Sequence, residues 1–196
     1  MNFALTFIIS YLIGCIPSAL IVSKFFAGKN PGDDGSHSYG AMNSYEITGK
    51  KYIGILVFIL DCAKGALATT IAYNIIFPKS IYIVIAAISV VVGHCFNVFL
   101  KFRGGRGLAT SLGAVLTFNP IIAVIWGFVW FLFWRIIKKD VHFANTWATL
   151  ITPLVVYGAP GYVFFYANYN YYVTYYDYRI FAIILCTIIF GALLRK

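Results

Sequence analysis

The residues best suited to chemistry fall in one stretch, Gly93-His-Cys-Phe-Asn-Val-Phe-Leu-Lys-Phe-Arg-Gly-Gly-Arg-Gly-Leu-Ala-Thr110. Lys101, Arg103 and Arg106 supply positive charge, while Gly104, Gly105 and Gly107 let backbone N–H groups approach a ligand closely. The apolar run from Leu108 predicts a helix whose N-terminus points at this turn. Side-chain cations, accessible N–H groups and the positive end of a helix dipole together describe an anion pocket, phosphate being the usual occupant.

A second candidate segment lies between Lys24 and Lys51. Gly35, Ser36, Ser38, Gly40, Asn43 and Ser44 bring small side chains, hydroxyls and N–H groups that suit phosphate oxygens. The same residues also fit a solvated loop with a helix N-cap at Asn43 or Ser44 and Glu46 in the first turn. Asp61 and Lys64, three residues apart, share a helical face. Within an apolar span they read either as an inward ion pair or as a source of cationic field beside the pocket. His94 fits a hydrogen-bonded bundle residue as well as a catalytic one, and His37 fits a loop residue or a base. The basic segment Arg135–Asn145 carries His142 and Asn145, and membrane anchoring accounts for its lysines.

Familiar catalytic sets are missing: there is no G-x-S-x-G elbow, H-x(4)-D pair, Walker lysine or metal-ligand cluster. No metal or cofactor is therefore expected. Any chemistry must rest on positioning and electrostatics, without a covalent intermediate. The four cysteines, Cys15, Cys62, Cys95 and Cys186, lie in apolar runs and read as packing residues.

The elements that must position these groups are set by composition. Of 196 residues, 61% are hydrophobic and 11% charged, with a mean hydropathy of +0.85. That balance belongs to an all-α polytopic membrane protein, and the length allows one domain over residues 1–196. The net charge of +9 suits anionic lipid and phosphorylated substrates. Nucleic acid is excluded as a partner, because the charge sits in short loops between spans.

Six apolar runs are visible: Phe3–Val22, Tyr52–Phe77, Ser80–Leu100, Leu108–Trp134, Thr146–Tyr166 and Ile180–Leu194. The first lacks a basic leader and a small-residue cleavage site, so it is expected to stay as a span. Six spans would divide the loop lysines and arginines 6 against 8, which contradicts the positive-inside rule. A reversal at Asn119-Pro120 changes that split to 12 against 2, leaving only Lys79 and Arg179 outside. Seven transmembrane segments are therefore expected, including a short hairpin broken at Asn119-Pro120, with the N-terminus outside and the C-terminus inside. Leu108–Phe118 then reaches only about 16 Å against a ~30 Å hydrocarbon core. Either the glycine turn dips below the headgroups or the hairpin stops short. The tyrosines between Tyr157 and Tyr178 are expected to form an interfacial belt.

Taken in order, these motifs resemble those of a known family. They are Gly14-x-Ile16-Pro17-Ser18, Gly35-Ser36 with Gly40-Ala41-x-Asn43, Leu60-Asp61-x-x-Lys64-Gly65, Gly93-His94, Phe99-Leu100-Lys101-Phe102 and Gly104-Gly105-Arg106-Gly107-x-Ala109-Thr110. The family is the bacterial acyl-phosphate:glycerol-3-phosphate acyltransferases, PlsY, and the similarity covers roughly residues 10–145. The resemblance implies a seven-helix enzyme of the bacterial inner membrane with its active-site loops in the cytoplasm. It implies transfer of a fatty acyl group from acyl phosphate to glycerol 3-phosphate, giving lysophosphatidic acid and phosphate without a cofactor. By position it assigns Ser36, Asn43 and Arg106 to catalysis. Gly35, Gly40, Lys101, Arg103, Gly104, Gly105 and Gly107 are assigned to phosphate binding.

Several positions depart from the family pattern. Ser38 replaces an asparagine, Met42 a threonine, Asn97 a proline and Arg106 a lysine. Val141–Asn145 stands where a serine-rich motif is usual, and the family pattern extends past Lys196 into a His/Asn-containing tail. The alternative reading is a non-catalytic relative or carrier that binds a phosphorylated lipid or metabolite.

Overall fold

A computed structural model of the protein describes residues 3–76, 80–117, 119–161 and 175–194. Among these residues every element is helical: α1 Phe3–Gly14, α2 Ser18–Ala27, α3 Ala41–Thr48, α4 Lys51–Ile71, α5 Ser80–Cys95, α6 Leu108–Leu116, α7 Ile121–Leu132, α8 Val141–Gly158 and α9 Tyr175–Leu193. Phe3–Ala27, Lys51–Asn74 and Ile81–Leu100 are long and apolar enough to cross a membrane, and Ile121–Ile137 and Arg179–Leu193 are shorter apolar helices. Lys79, Arg195, Lys196 and most of the tyrosine-rich segment lie outside the described residues.

The first run is not one uninterrupted helix, because Pro17 has no N–H to offer and the chain breaks at residues 15–17. A break inside a span exposes carbonyls that lipid cannot satisfy. Here other helices supply the donors. Asn97 Nδ2 donates to the Cys15 carbonyl at 2.7 Å, and Lys64 Nζ donates to the Ile16 carbonyl at 3.1 Å. Asn97 also accepts the Phe99 N–H at 2.9 Å, so this departure from the family's proline has a structural task.

Two glycine crossings set the bundle. A Cβ on Gly14 would strike the Val90 carbonyl, and one on Gly93 the Tyr11 carbonyl, so α1 and α5 touch backbone to backbone. In the same way Gly65 faces the Thr110 carbonyl and Gly113 the Cys62 carbonyl, bringing α4 against α6. Thr69 and Thr117 share a hydrogen bond of 2.6 Å farther along this pair. The contacts advance together on both helices, so α6 runs parallel to α4 and starts level with its middle. That sets the preceding glycine turn level with the middle of α4 and not with its start.

Trp126 Nε1 donates to Thr149 Oγ1 at 3.3 Å and Trp130 Nε1 to Asn145 Oδ1 at 2.8 Å, which makes α7 and α8 antiparallel. The end of α7 thus returns toward the start of α6, and the chain reverses at Asn119-Pro120. Asn119 Oδ1 accepts the Ile121 N–H at 3.0 Å and begins the return helix. Val90, Val91, Cys95, Ala114, Phe181, Leu185 and Ile189 form the core between α5, α6 and α9. None of the four cysteines forms a disulfide, and Cys15, Cys95 and Cys186 are buried as packing groups.

Two boundaries differ from expectation. Helix α8 begins at Val141, ahead of the expected Thr146, because Asp140 Oδ1 accepts the N–H groups of His142 and Phe143 at 2.9 and 3.0 Å. His142 and Asn145 therefore sit on a helix. Helix α3 is capped by Gly40, not by Asn43 or Ser44, both of which are buried inside it.

Candidate functional site

The loop before α3 is organised by one side chain. Asn43 Nδ2 donates to the carbonyls of Pro31, Asp34 and Ser38 at 2.8, 3.2 and 2.9 Å, and Asn43 Oδ1 accepts the Ser36 N–H at 2.9 Å. Its carboxamide is taken up by the loop. Gly35 stands at φ +66°, and a Cβ there would press into Asn43 Oδ1. Glycine is thus required at the turn that presents Ser36.

The second loop docks on the first. The Tyr39 N–H donates to the Gly104 carbonyl at 3.2 Å, and the Gly105 N–H donates to the His94 carbonyl at 3.2 Å. A Cβ on Gly104 would strike the His94 carbonyl, and one on Gly105 the His94 ring. These two glycines permit close packing of the loops, and neither lines a cavity. Lys101 and Arg103 are exposed and also lie off the cavity walls. Of the three cations in the turn, the structure brings Arg106 into the site.

A cavity of about 760 Å³ collects the rest. Its polar end is formed by Ser36, Ser38, Asn43, Glu46, Arg106 and His142, with Gly40 and Gly107 beneath. Gly40 and Gly107 are the N-caps of α3 and α6, and neither helix start carries a side-chain cap. Two sets of free N–H groups therefore face this end, as an anion requires. Away from it the lining turns apolar: Leu112 and Val115 on α6, Trp126 and Ile122 on α7, Leu185 on α9. Ile55 and Phe58 extend that wall along α4.

A second cavity, about 430 Å³, is lined by Gly35, His37, Thr146, Leu193 and Leu194. Ser36, Arg106 and His142 line both cavities. Arg106 Nη1 lies 2.6 Å from His142 Nδ1. Burial draws the Arg106 guanidinium below its ordinary value, and the Glu46 carboxylate works in the opposite sense. An arginine remains charged throughout.

Behind the polar end lies a buried ionic cluster. Lys64 Nζ is 2.8 Å from Asp61 Oδ1, and His94 Nδ1 is 3.6 Å from the same oxygen. Asp61 and His94 reach the cavity wall, whereas Lys64 does not. The inward ion pair expected of Asp61 and Lys64 is present, and its carboxylate end also reaches the cavity wall.

Of the residues singled out from sequence, Ser36, Asn43, Arg106, Gly40 and Gly107 line the first cavity and Gly35 the second, while Lys101, Arg103, Gly104 and Gly105 line neither. The sequence reading named no apolar wall, and it noted His142 without giving it a place in the site. Trp126 and Trp130, four residues apart on one helical face, were the available signal for that wall.

The family model described as glycerol-3-phosphate acyltransferase matches residues 4–194. A glycerol-3-phosphate acyltransferase of Latilactobacillus sakei subsp. sakei (strain 23K) is 38% identical over 125 residues, covering 64% of this chain and 60% of that relative. A crystal structure of PlsY, an integral membrane glycerol 3-phosphate acyltransferase, in its glycerol 3-phosphate form aligns with a TM-score of 0.75. It is 30% identical, over 96% of this chain and 86% of that one. The lysophosphatidic acid form of the same enzyme aligns with a TM-score of 0.74 at 29% identity, over 97% and 87% of the two chains.

Proposed function

This chain belongs to the glycerol-3-phosphate acyltransferase family, and on that premise we propose that it transfers a fatty acyl group from acyl phosphate to glycerol 3-phosphate. The products are lysophosphatidic acid, an early intermediate of phospholipid synthesis, and inorganic phosphate. One observation carries this reading: a single cavity changes from a charged end to an apolar end, and a second cavity meets it at the charged end. A lipid-tailed phosphate needs the first shape, and a small phosphorylated acceptor fits the second.

In this scheme the acyl tail lies along Leu112, Val115, Ile122, Trp126 and Leu185. The anhydride phosphate rests against Arg106 and the free N–H groups that start α3 and α6. The glycerol hydroxyl enters from the second cavity past Ser36 and attacks the acyl carbon. The bond from that carbon to the phosphate oxygen breaks, the hydroxyl proton ends on the departing phosphate, and Arg106 offsets the remaining charge on it. Asn43 acts by holding the loop that presents Ser36. Lys101 and Arg103 act at longer range, by attracting anionic substrates to the face they occupy. No metal takes part in this scheme, since carbonyl activation comes from the anhydride itself.

We assign the protein to the bacterial inner membrane with seven segments, N-terminus outside and active-site loops cytoplasmic. The 12-to-2 division of loop lysines and arginines supports that orientation.

The test is an assay of the purified protein in lipid nanodiscs with palmitoyl phosphate and labelled glycerol 3-phosphate. Lysophosphatidic acid and phosphate are expected in equal amounts, with neither formed when the acceptor is omitted. Saturable glycerol 3-phosphate binding with no product would instead support the carrier reading.

A further inference from the structure

We propose that His142 is a positioning residue for Arg106, holding the guanidinium at the junction of the two cavities only while its own ring is neutral. The inference rests on the acyl-transfer reading above and adds a residue and a pH dependence to it. A guanidinium has five N–H donors and no acceptor. The 2.6 Å approach of Arg106 Nη1 to His142 Nδ1 therefore requires Nδ1 to accept, which leaves the ring proton on Nε2. His142 is exposed, and its backbone is pinned. Its backbone N–H is fixed by Asp140 Oδ1 at 2.9 Å, and its carbonyl accepts Thr146 Oγ1 at 2.9 Å, within the first turns of α8.

Protonation of Nδ1 would turn the acceptor into a donor and set two cations against each other. The contact must then open, and Arg106 leaves the geometry in which it faces both cavities. The charged and titratable neighbours are few among the described residues. From α8's own start come Asp140 and its partner Lys138, at 3.2 Å from each other. Glu46 of α3, Lys51 and Asp61 of α4, and His94 of α5 line the first cavity, and His37 of the first loop lines the second. Tyr45 of α3 also lines the first cavity, and α9 with the residue after it presents Cys186 there and Leu193 and Leu194 to the second. The sign follows from the geometry: the holding contact needs an unprotonated Nδ1, so acid works against it. Histidine is the side chain whose charge changes in the range from about pH 5 to about pH 8.

The experiment measures kcat/KM for glycerol 3-phosphate across that range in wild type, His142→Asn, His142→Ala and His37→Asn. Asparagine sets a carboxamide oxygen near the place of Nδ1 and does not titrate. Wild type is expected to lose activity roughly tenfold or more toward the acid end. His142→Asn should keep activity near the wild-type neutral value and show a shallower acid limb, leaving only what the second ionisation of glycerol 3-phosphate, at about pH 6, contributes to every variant. His142→Ala should fall about 10- to 100-fold at every pH, the cost of a loosened catalytic group. His37→Asn should keep the acid limb. An unchanged acid limb in His142→Asn, or wild-type behaviour in His142→Ala, overturns the proposal. Thermal unfolding of each variant separates lost positioning from lost folding. If wild type transfers no acyl group at any pH, the functional reading fails by itself. The same variants are then titrated with glycerol 3-phosphate by calorimetry, where affinity should follow the same pattern, and pH-independent or absent binding overturns the inference too.

Discussion

Lys64→Met is expected to destabilise the folded protein by about 3–5 kcal/mol. Lys64 and Asp61 are 5% and 2% exposed, and they pair within the second apolar span. Removing the cation leaves a buried carboxylate with only His94 Nδ1 nearby at 3.6 Å. It also strips the Ile16 carbonyl of the donor that closes the break in the first helix. The pair itself contributes little net stability, since withdrawing both charges from water offsets their attraction. Asp61→Asn combined with Lys64→Met should therefore recover most of the loss. Reversible unfolding in mixed micelles, with circular dichroism as the readout, measures both. A single variant as stable as wild type would show that the cluster is not the brace described here.

Arg106→Ala is expected to lower kcat/KM for acyl transfer by roughly 10²- to 10³-fold, with the unfolding midpoint little changed. Arg106 is half-buried at the meeting of both cavities, and no other cation of its turn lines them. Lys101→Ala and Arg103→Ala should act mainly on the salt dependence of KM, because both residues are exposed and off the wall. This contrast separates a group that stabilises the leaving phosphate from groups that only attract it. Equal losses from all three substitutions would mean the whole turn binds phosphate, as the sequence alone suggests.

What could be read without coordinates depended on whether a residue's task was local. The reversal at Asn119-Pro120 was visible because an Asn-Pro pair ends a helix wherever it occurs, and the lysine count demanded a turn there. The packing role of the cysteines was visible from their apolar surroundings. The gap in the first span was signalled by Pro17 but hidden by the surrounding hydrophobicity. Its carbonyl partners, Asn97 and Lys64, are remote in sequence. Gly104 and Gly105 illustrate a sharper ambiguity. A glycine that admits a phosphate and a glycine that admits another helix look the same in sequence, and here they admit His94. His142 was read as part of an anchoring segment because Lys138 and Lys139 dominated the view. Asp140, an ordinary N-cap residue, marked the start of α8 and could have placed it on a helix. The apolar wall was legible only in part: Trp126 and Trp130 share a face of α7, but the rest is assembled from α4, α6 and α9.

The measurement that bears most directly on this account maps where a lipid tail goes. An acyl phosphate carrying a photoreactive diazirine in its chain, irradiated on the wild-type protein in nanodiscs, is expected to label Val115, Ile122, Trp126 or Leu185. Excess unlabelled acyl phosphate should suppress that labelling, and Arg106→Ala should weaken it. Labelling confined to outward-facing Val124, Phe128 and Leu154, which are 66%, 62% and 72% exposed, would contradict a cavity that joins the phosphate site to the acyl chain.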